Sequence, residues 1–178
     1  DKTLDPGITI PPELRRQYMA TLGWCAKAVD SIADRLVFRE FEEDNFGLNE
    51  IFQMNNPDIL YDSAILGALV SSCDFIYISP DEDGFPRLQV IDGGNATGTI
   101  DPITNMLTEG YAVLKRDNYD KPILEAYFTR EYTEYHQKGV GVLRRDDNPA
   151  PYPLLVPIIY RPDAKRPFGH ARISRACM

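Results

Sequence analysis

Hydrophobic positions in the first part of the chain recur at helical spacing. Leu14, Tyr18, Leu22, Cys25, Val29, Ile32 and Leu36 advance by steps of three or four residues, which places them on one stripe of a long helix opened by Pro11-Pro12. The acidic stretch Glu40 to Asn45 breaks the pattern, a short second helix follows from about Leu48 to Asn55, and Pro57 starts a third. Ala64, Gly67, Ala68 and Ser71 give this third helix small side chains, so another element is expected to pack closely against it.

From Cys73 the period changes to two. Phe75-Ile76-Tyr77-Ile78 runs into Asp83-Gly84, and Arg87-Leu88-Gln89-Val90-Ile91 follows, which predicts a hairpin. Further strands are expected over Tyr111 to Arg116, Ile123 to Thr129, Glu131 to His136 and Val140 to Arg144, separated by turn chemistry at Asp117-Asn118, Thr129-Arg130 and Lys138-Gly139. Pro149, Pro151, Pro153 and Pro157 punctuate a last extended segment, Leu154 to Tyr160, where missing N–H donors favour a sheet edge or a bulge. Helices followed by a meander predict an α+β fold, with N-terminal helices packed on a mostly antiparallel sheet. The expected organisation is an arm over residues 1–13, an α+β domain over 14–160, and a linker with the start of a helix over 161–178. The helical run from Ala171 carries no cap or stop signal before Met178, so the chain reads as a fragment cut within a helix.

Composition narrows the class. With 43% hydrophobic and 26% charged residues, the 178-residue chain can bury one sizeable core or two small lobes. No apolar run reaches the roughly 18 to 20 residues of a membrane span, and Asp1 to Ile10 lacks the layout of a signal peptide. A cytosolic chain is expected. Cys25, Cys73 and Cys177 are odd in number and not closely paired, which suggests neither a disulfide framework nor a zinc knuckle. A net charge of −8 should on balance repel nucleic acid. The basic pairs Arg15-Arg16, Arg144-Arg145 and Lys165-Arg166 read as solvated surface.

Candidate catalytic motifs fail on their own chemistry. Gly93-Gly94-Asn95-Ala96-Thr97-Gly98-Thr99-Ile100 has glycines at phosphate-loop spacing but no lysine to reach a phosphate, so it reads as a loop. Asp81-Glu82-Asp83-Gly84 lacks the spaced ligands and closing glutamate of a calcium loop and reads as a hairpin turn. Asn95-Ala96-Thr97 is a glycosylation sequon only in a secreted protein. His136 and His170 have no nucleophile or metal motif around them. No catalytic, cofactor-binding or metal-ligating residue is therefore named, and no cofactor is expected.

Several landmarks, taken in order, resemble the portal proteins of tailed bacteriophages, in particular the SPP1-type portal family. The helix Leu22 to Phe41 is similar to the family's helix leading into a strand. The strand-turn-strand Cys73 to Ile91 comes next, and Asn95 to Pro102 looks like the family's short strand ending in an Asp-Pro turn. Paired strands and Tyr132-Thr133-Glu134-Tyr135-His136-Gln137-Lys138-Gly139 follow. Val156-Pro157-Ile158-Ile159-Tyr160-Arg161-Pro162 and Phe168-Gly169-His170-Ala171-Arg172-Ile173-Ser174 resemble the two most specific signatures, with Ala171 standing where the family often has serine. The resemblance spans roughly Tyr18 onward.

What it implies is a wing-like domain of a structural, non-enzymatic protein at one capsid vertex of the virion, made in the bacterial host cytoplasm. Such a protein self-assembles into a ring, conventionally a dodecamer. It meets the capsid or scaffold protein, the terminase large subunit and a head–tail adaptor, and duplex DNA passes through its channel during packaging and ejection without sequence-specific binding. No membrane is involved. An acidic surface suits a passage that must not hold phosphates. Residues 1–178 alone, lacking the stem, are expected to be monomeric. Two other readings stand beside this one. One is an interaction module working through a sheet edge or the aromatics Tyr111, Tyr127, Phe128, Tyr132 and Tyr135. The other is a metal-dependent enzyme with ligands around Glu40 to Asp44 or Asp81 to Asp83.

Overall fold

The computed structural model of the protein describes residues 24–173. Helix α1 spans Trp24–Ala33, and the predicted start of that helix, with Leu14, Tyr18 and Leu22, lies outside the described residues. So do the arm 1–13, Arg15-Arg16, and the part of the expected helical run from Ala171 that lies beyond Ile173 and holds Cys177. Helix α1 ends earlier than its periodicity predicts. Arg35 and Leu36 donate to Ile32 and Ala33, three residues back, tightening the last turn and leaving Leu36 exposed. Among the described residues of the predicted stripe, only Val29 is fully buried.

Helix α2 covers Leu48–Met54. Its first N–H groups are satisfied by Asp44, whose Oδ1 and Oδ2 accept from Leu48 and Asn49 at 2.5 and 2.9 Å. Helix α3 covers Pro57–Ser71 and opens on a proline, whose missing N–H costs nothing in the first turn. The chain reverses at Ser72, at φ 85°, straight into the first strand.

Among the described residues eight strands form two antiparallel sheets. Strands β1 (Cys73–Pro80), β2 (Pro86–Ile91) and β8 (Leu155–Ile159) make a three-stranded sheet in the order β2-β1-β8. Strands β3 (Ala96–Ile100), β4 (Leu107–Arg116), β5 (Pro122–Phe128), β6 (Tyr132–Gln137) and β7 (Gly141–Asp147) form a five-stranded meander in sequence order. The α+β class and the helices-on-sheet packing predicted from the periodicity are therefore present. The sheet is divided in two, and β8, with Pro157, is an edge strand as its prolines require.

Alternation along β1 explains the layering. Cys73, Phe75 and Tyr77 point one way and join Ile91, Leu107, Ala112, Phe128, Tyr135 and Leu155 in a core between the two sheets. Asp74 and Ile76 point the other way, toward α3, which packs on β1, β2 and β8. Leu60, Ala64, Ala68 and Leu69 form the buried side of α3. The order of layers is helices, three-stranded sheet, five-stranded sheet. A cross-sheet hydrogen bond, Tyr77 hydroxyl to Tyr135 hydroxyl at 2.7 Å, joins the two sheets through the core. Gly110 is needed here, since a Cβ on it would sit 2.9 Å from the Leu155 side chain.

Three details differ from the sequence reading. Gly93-Gly94 is a turn, but the segment expected to be a loop continues as β3, because Ala96 to Ile100 pair with β4. Strand β4 begins at Leu107 rather than Tyr111, and β7 extends to Asp147 rather than Arg144. In each case pairing with a neighbouring strand extends a sequence whose own pattern is weak.

Candidate functional site

The five-stranded sheet presents one face to the core and one to solvent. Register places Thr97, Tyr111, Tyr127, Glu134 and Arg145 side by side on the outer face, where neighbours two residues along each strand share their direction. The phenol of Tyr127 donates to Glu109 Oε2 at 2.5 Å, and that of Tyr111 donates to Glu125 Oε1. The Arg145 guanidinium lies 3.3 Å from the centroid of the Tyr132 ring, a cation–π contact, and 3.8 Å from Glu134. His136 shares Glu134 at 2.8 Å.

These contacts fix the protonation of the phenols. The hydrogen bond to Glu109, followed by desolvation, raises Tyr127, and burial with the Glu125 contact pushes Tyr111 up to about 12. Both stay protonated donors at neutral pH. Of the five aromatics singled out in the sequence, Tyr111, Tyr127 and Tyr132 thus build an outward aromatic–acidic surface, whereas Phe128 and Tyr135 are core. The pair Arg144-Arg145 is exposed, as expected of solvated surface, and each guanidinium also lies over a tyrosine ring, Arg144 over Tyr135 at 4.3 Å.

The acidic clusters proposed as metal ligands hold backbone. Asp44 caps α2. Asp81 accepts from the Asp83 and Phe85 N–H groups at 3.0 and 2.9 Å and pairs with Arg87 at 2.8 Å, so Asp81-Glu82-Asp83-Gly84 is the predicted hairpin turn. These hydrogen bonds hold Asp81 below the usual carboxylate range. Among the described residues no group of three or more His, Cys, Asp or Glu side chains is placed to hold a metal.

The remaining flagged residues are structural in their contacts. Asn95 of the sequon accepts from the Arg116 guanidinium at 2.6 and 2.9 Å. His170 bonds Asp163 through Nε2 at 2.5 Å and faces Arg166 through Nδ1 at 3.1 Å, bracing the turn that carries Lys165-Arg166. The contact with His170 and two backbone N–H groups lower Asp163 to about 2. Cys73 is buried in the core, its thiol pushed up to about 12 by desolvation and then by Asp74, and Cys25 is half-buried.

One group went unnoticed in the sequence. Asp74 is only 3% exposed, and it lies against Gly67 of α3, where a Cβ would fall 1.7 Å from Asp74 Oδ2. The available signal was a lone acid in the apolar run Cys73 to Ile78, following a helix with a glycine in its last turns. Among the described residues no helix is long and apolar enough to cross a membrane. No protein-family model and no curated protein matches the chain.

Proposed function

We propose that this chain is the wing-like part of a portal protein, a ring-forming head–tail connector through which a tailed phage or prophage packages and ejects its DNA. The observation that carries the reading is the ordered series of sequence landmarks, three of which coincide with discrete elements, whereas the Leu22 to Phe41 helix is not followed by a strand and the Phe168 signature runs as turn and coil over residues 168–172. The Cys73 to Ile91 landmark is the β1–β2 hairpin with Asp81–Gly84 at its tip. The Asn95 to Pro102 landmark is β3, closed by a turn in which Asp101 accepts from the Ile103 N–H at 2.8 Å. The Val156 to Pro162 landmark is β8 and its exit, which pairs back onto β1.

On this reading the role of the domain is architectural: it contributes subunit and capsid contacts and performs no chemistry. The net charge of −8 is compatible with a conduit that does not retain phosphate. Native mass spectrometry with negative-stain imaging of the full-length protein tests the reading. A closed ring, conventionally of twelve subunits, with a central hole about as wide as duplex DNA is the expected result. A monomer or dimer at both low and high salt refutes it.

A second reading, a protein–protein interaction module outside any virus, draws on the outward Tyr111, Tyr127 and Tyr132 face. Tyrosine supplies large contact area at low conformational cost. Binding of a protein partner by a stable monomer, lost on changing these tyrosines to serine, is the result that favours it.

A further inference from the structure

We propose that the groove between α3 and the β1–β2 hairpin binds an organic cation, an ammonium or guanidinium carried on a short apolar stem, with Asp74 as its counter-ion. The site does not depend on the portal reading. The groove measures about 490 Å³. Leu66, Val70 and Val90 form its apolar walls, Ser63 and Asp92 stand at its rim, and Asp74 lies at its base.

The case rests on how incompletely Asp74 is satisfied. Its Oδ1 accepts from the Gly93 N–H at 2.9 Å and faces the Ser71 hydroxyl at 3.2 Å. That hydroxyl also faces the Gly67 carbonyl at 2.8 Å, and its single proton serves one of the two. Among the described residues nothing donates to Oδ2, and none of the groups acting on the carboxylate is a cation. Asp92 adds a like charge. A carboxylate buried in this way, with donors on one oxygen only, has its desolvation cost offset in part, and burial, then Asp92, raises its pKa.

A cation in the groove offsets both effects. A bare metal ion suits the site less well, because among the described residues no group of three or more His, Cys, Asp or Glu side chains is placed to hold one. An organic cation does suit it. Leu66 and Val70 stand 43% and 49% exposed, and a three- or four-carbon stem would cover them while its charged head reaches Asp74, as lysine and arginine stems do on apolar surface.

The test titrates n-butylammonium chloride into ¹⁵N-labelled protein at pH 7, against sodium chloride of equal ionic strength, and follows the Gly93 amide. A saturable shift with butylammonium alone is expected, weakened about tenfold or more in D74N, as loss of a charge-assisted hydrogen bond implies. D92N, at the exposed rim, is expected to weaken binding about twofold by removing one nearby charge, and it keeps the test decisive should D74N fail to fold. n-Butanol, the same stem without the charge, should not saturate. Equal responses to butylammonium and sodium, or butylammonium binding undiminished in both variants, overturn the proposal. Sedimentation velocity over a concentration series then separates the sources. Self-association abolished by both butylammonium and D74N assigns the cation to a Lys or Arg of a second copy of this chain, and butylammonium binding by a persistent monomer assigns it to a free amine.

Discussion

Replacing Gly67 with alanine should be strongly destabilising, against the usual trend for a helix interior. Alanine in place of a mid-helix glycine normally stabilises by about 1 kcal/mol. Here the new Cβ would lie 1.7 Å from Asp74 Oδ2 and 2.4 Å from its Cγ, so the carboxylate must rotate out of its seat. Overpacking of this kind costs about 1–3 kcal/mol. Rotation also breaks the 2.9 Å bond from the Gly93 N–H to Oδ1, a charge-assisted bond contributing about 1.5–3 kcal/mol. The net expectation is a loss of about 1.5–5 kcal/mol after the helix gain is subtracted. The control is the same substitution in D74A, where the clash is gone and only the helix term remains, so G67A should stabilise by about 1 kcal/mol. Urea denaturation followed by far-UV circular dichroism on the four proteins of the cycle measures both, provided the m-values agree. A neutral G67A, or an equal cost with and without Asp74, refutes the reasoning.

Three further outcomes follow from the same contacts. Y77F and Y135F should each cost about 1 kcal/mol, because each removes the 2.7 Å bond between the two buried hydroxyls, and the double variant should cost less than their sum; strict additivity by urea denaturation counts against the pair. Thr133 is 1% exposed and among the described residues its Oγ1 has no hydrogen-bond partner, so T133V should stabilise by about 1 kcal/mol, and a loss of thermal stability contradicts this. The raised pKa of Asp74 favours the folded state fully below the unfolded value of about 4 and loses that contribution as pH rises through the folded value; D74N should therefore gain on the parent protein between pH 3 and pH 7, and a constant difference across urea melts in that range rules the linkage out.

The parts of the fold that were legible in the sequence are those whose own period is strong. Helix α3 and the β1–β2 hairpin announce themselves through Pro57, the apolar residues of α3, the alternation of Phe75 to Ile78 and the Asp83-Gly84 turn. Strand β3 does not, because Ala96-Thr97-Gly98-Thr99 is small and polar and becomes a strand only through its partner β4. The same holds for the end of β7, where Arg144-Arg145-Asp146-Asp147 has no apolar face and is held by pairing with β6. Division into two sheets depends on contacts far apart in sequence, such as β1 with β8, which no local pattern encodes. The outward aromatics were half legible: Tyr127 and Phe128 are adjacent in a strand, so one of them had to leave the core. Asp74 was illegible, since its meaning depends on Gly67 across a layer and on Gly93 in a turn.

The outer surfaces of the three layers differ in how far their groups are already satisfied, and this bears on where a partner would sit. On the five-stranded sheet Glu109 and Glu125 already hold phenols and Glu134 holds His136, so a partner there must displace bonds or be content with aromatic edges. The free side of β7 offers unpaired backbone, but Arg144, Arg145, Asp146 and Asp147 line it, a charge pattern that discourages strand addition. The helical layer has neither defence. Trp24 is 79% exposed and Ile59 70%, and Ile59, Leu66 and Val70 fall on one stripe of α3 whose opposite side is already buried by Leu60, Ala64 and Ala68. Helix α3 packs on the three-stranded sheet and against α1, and among the described residues the stripe of Ile59, Leu66 and Val70 stays exposed. The stripe also passes through Leu66 and Val70 at the groove over Asp74. Among the described residues the exposed apolar stripe and the buried acid without a cationic partner therefore occupy one place on the molecule, and a single basic, apolar-stemmed occupant would satisfy both.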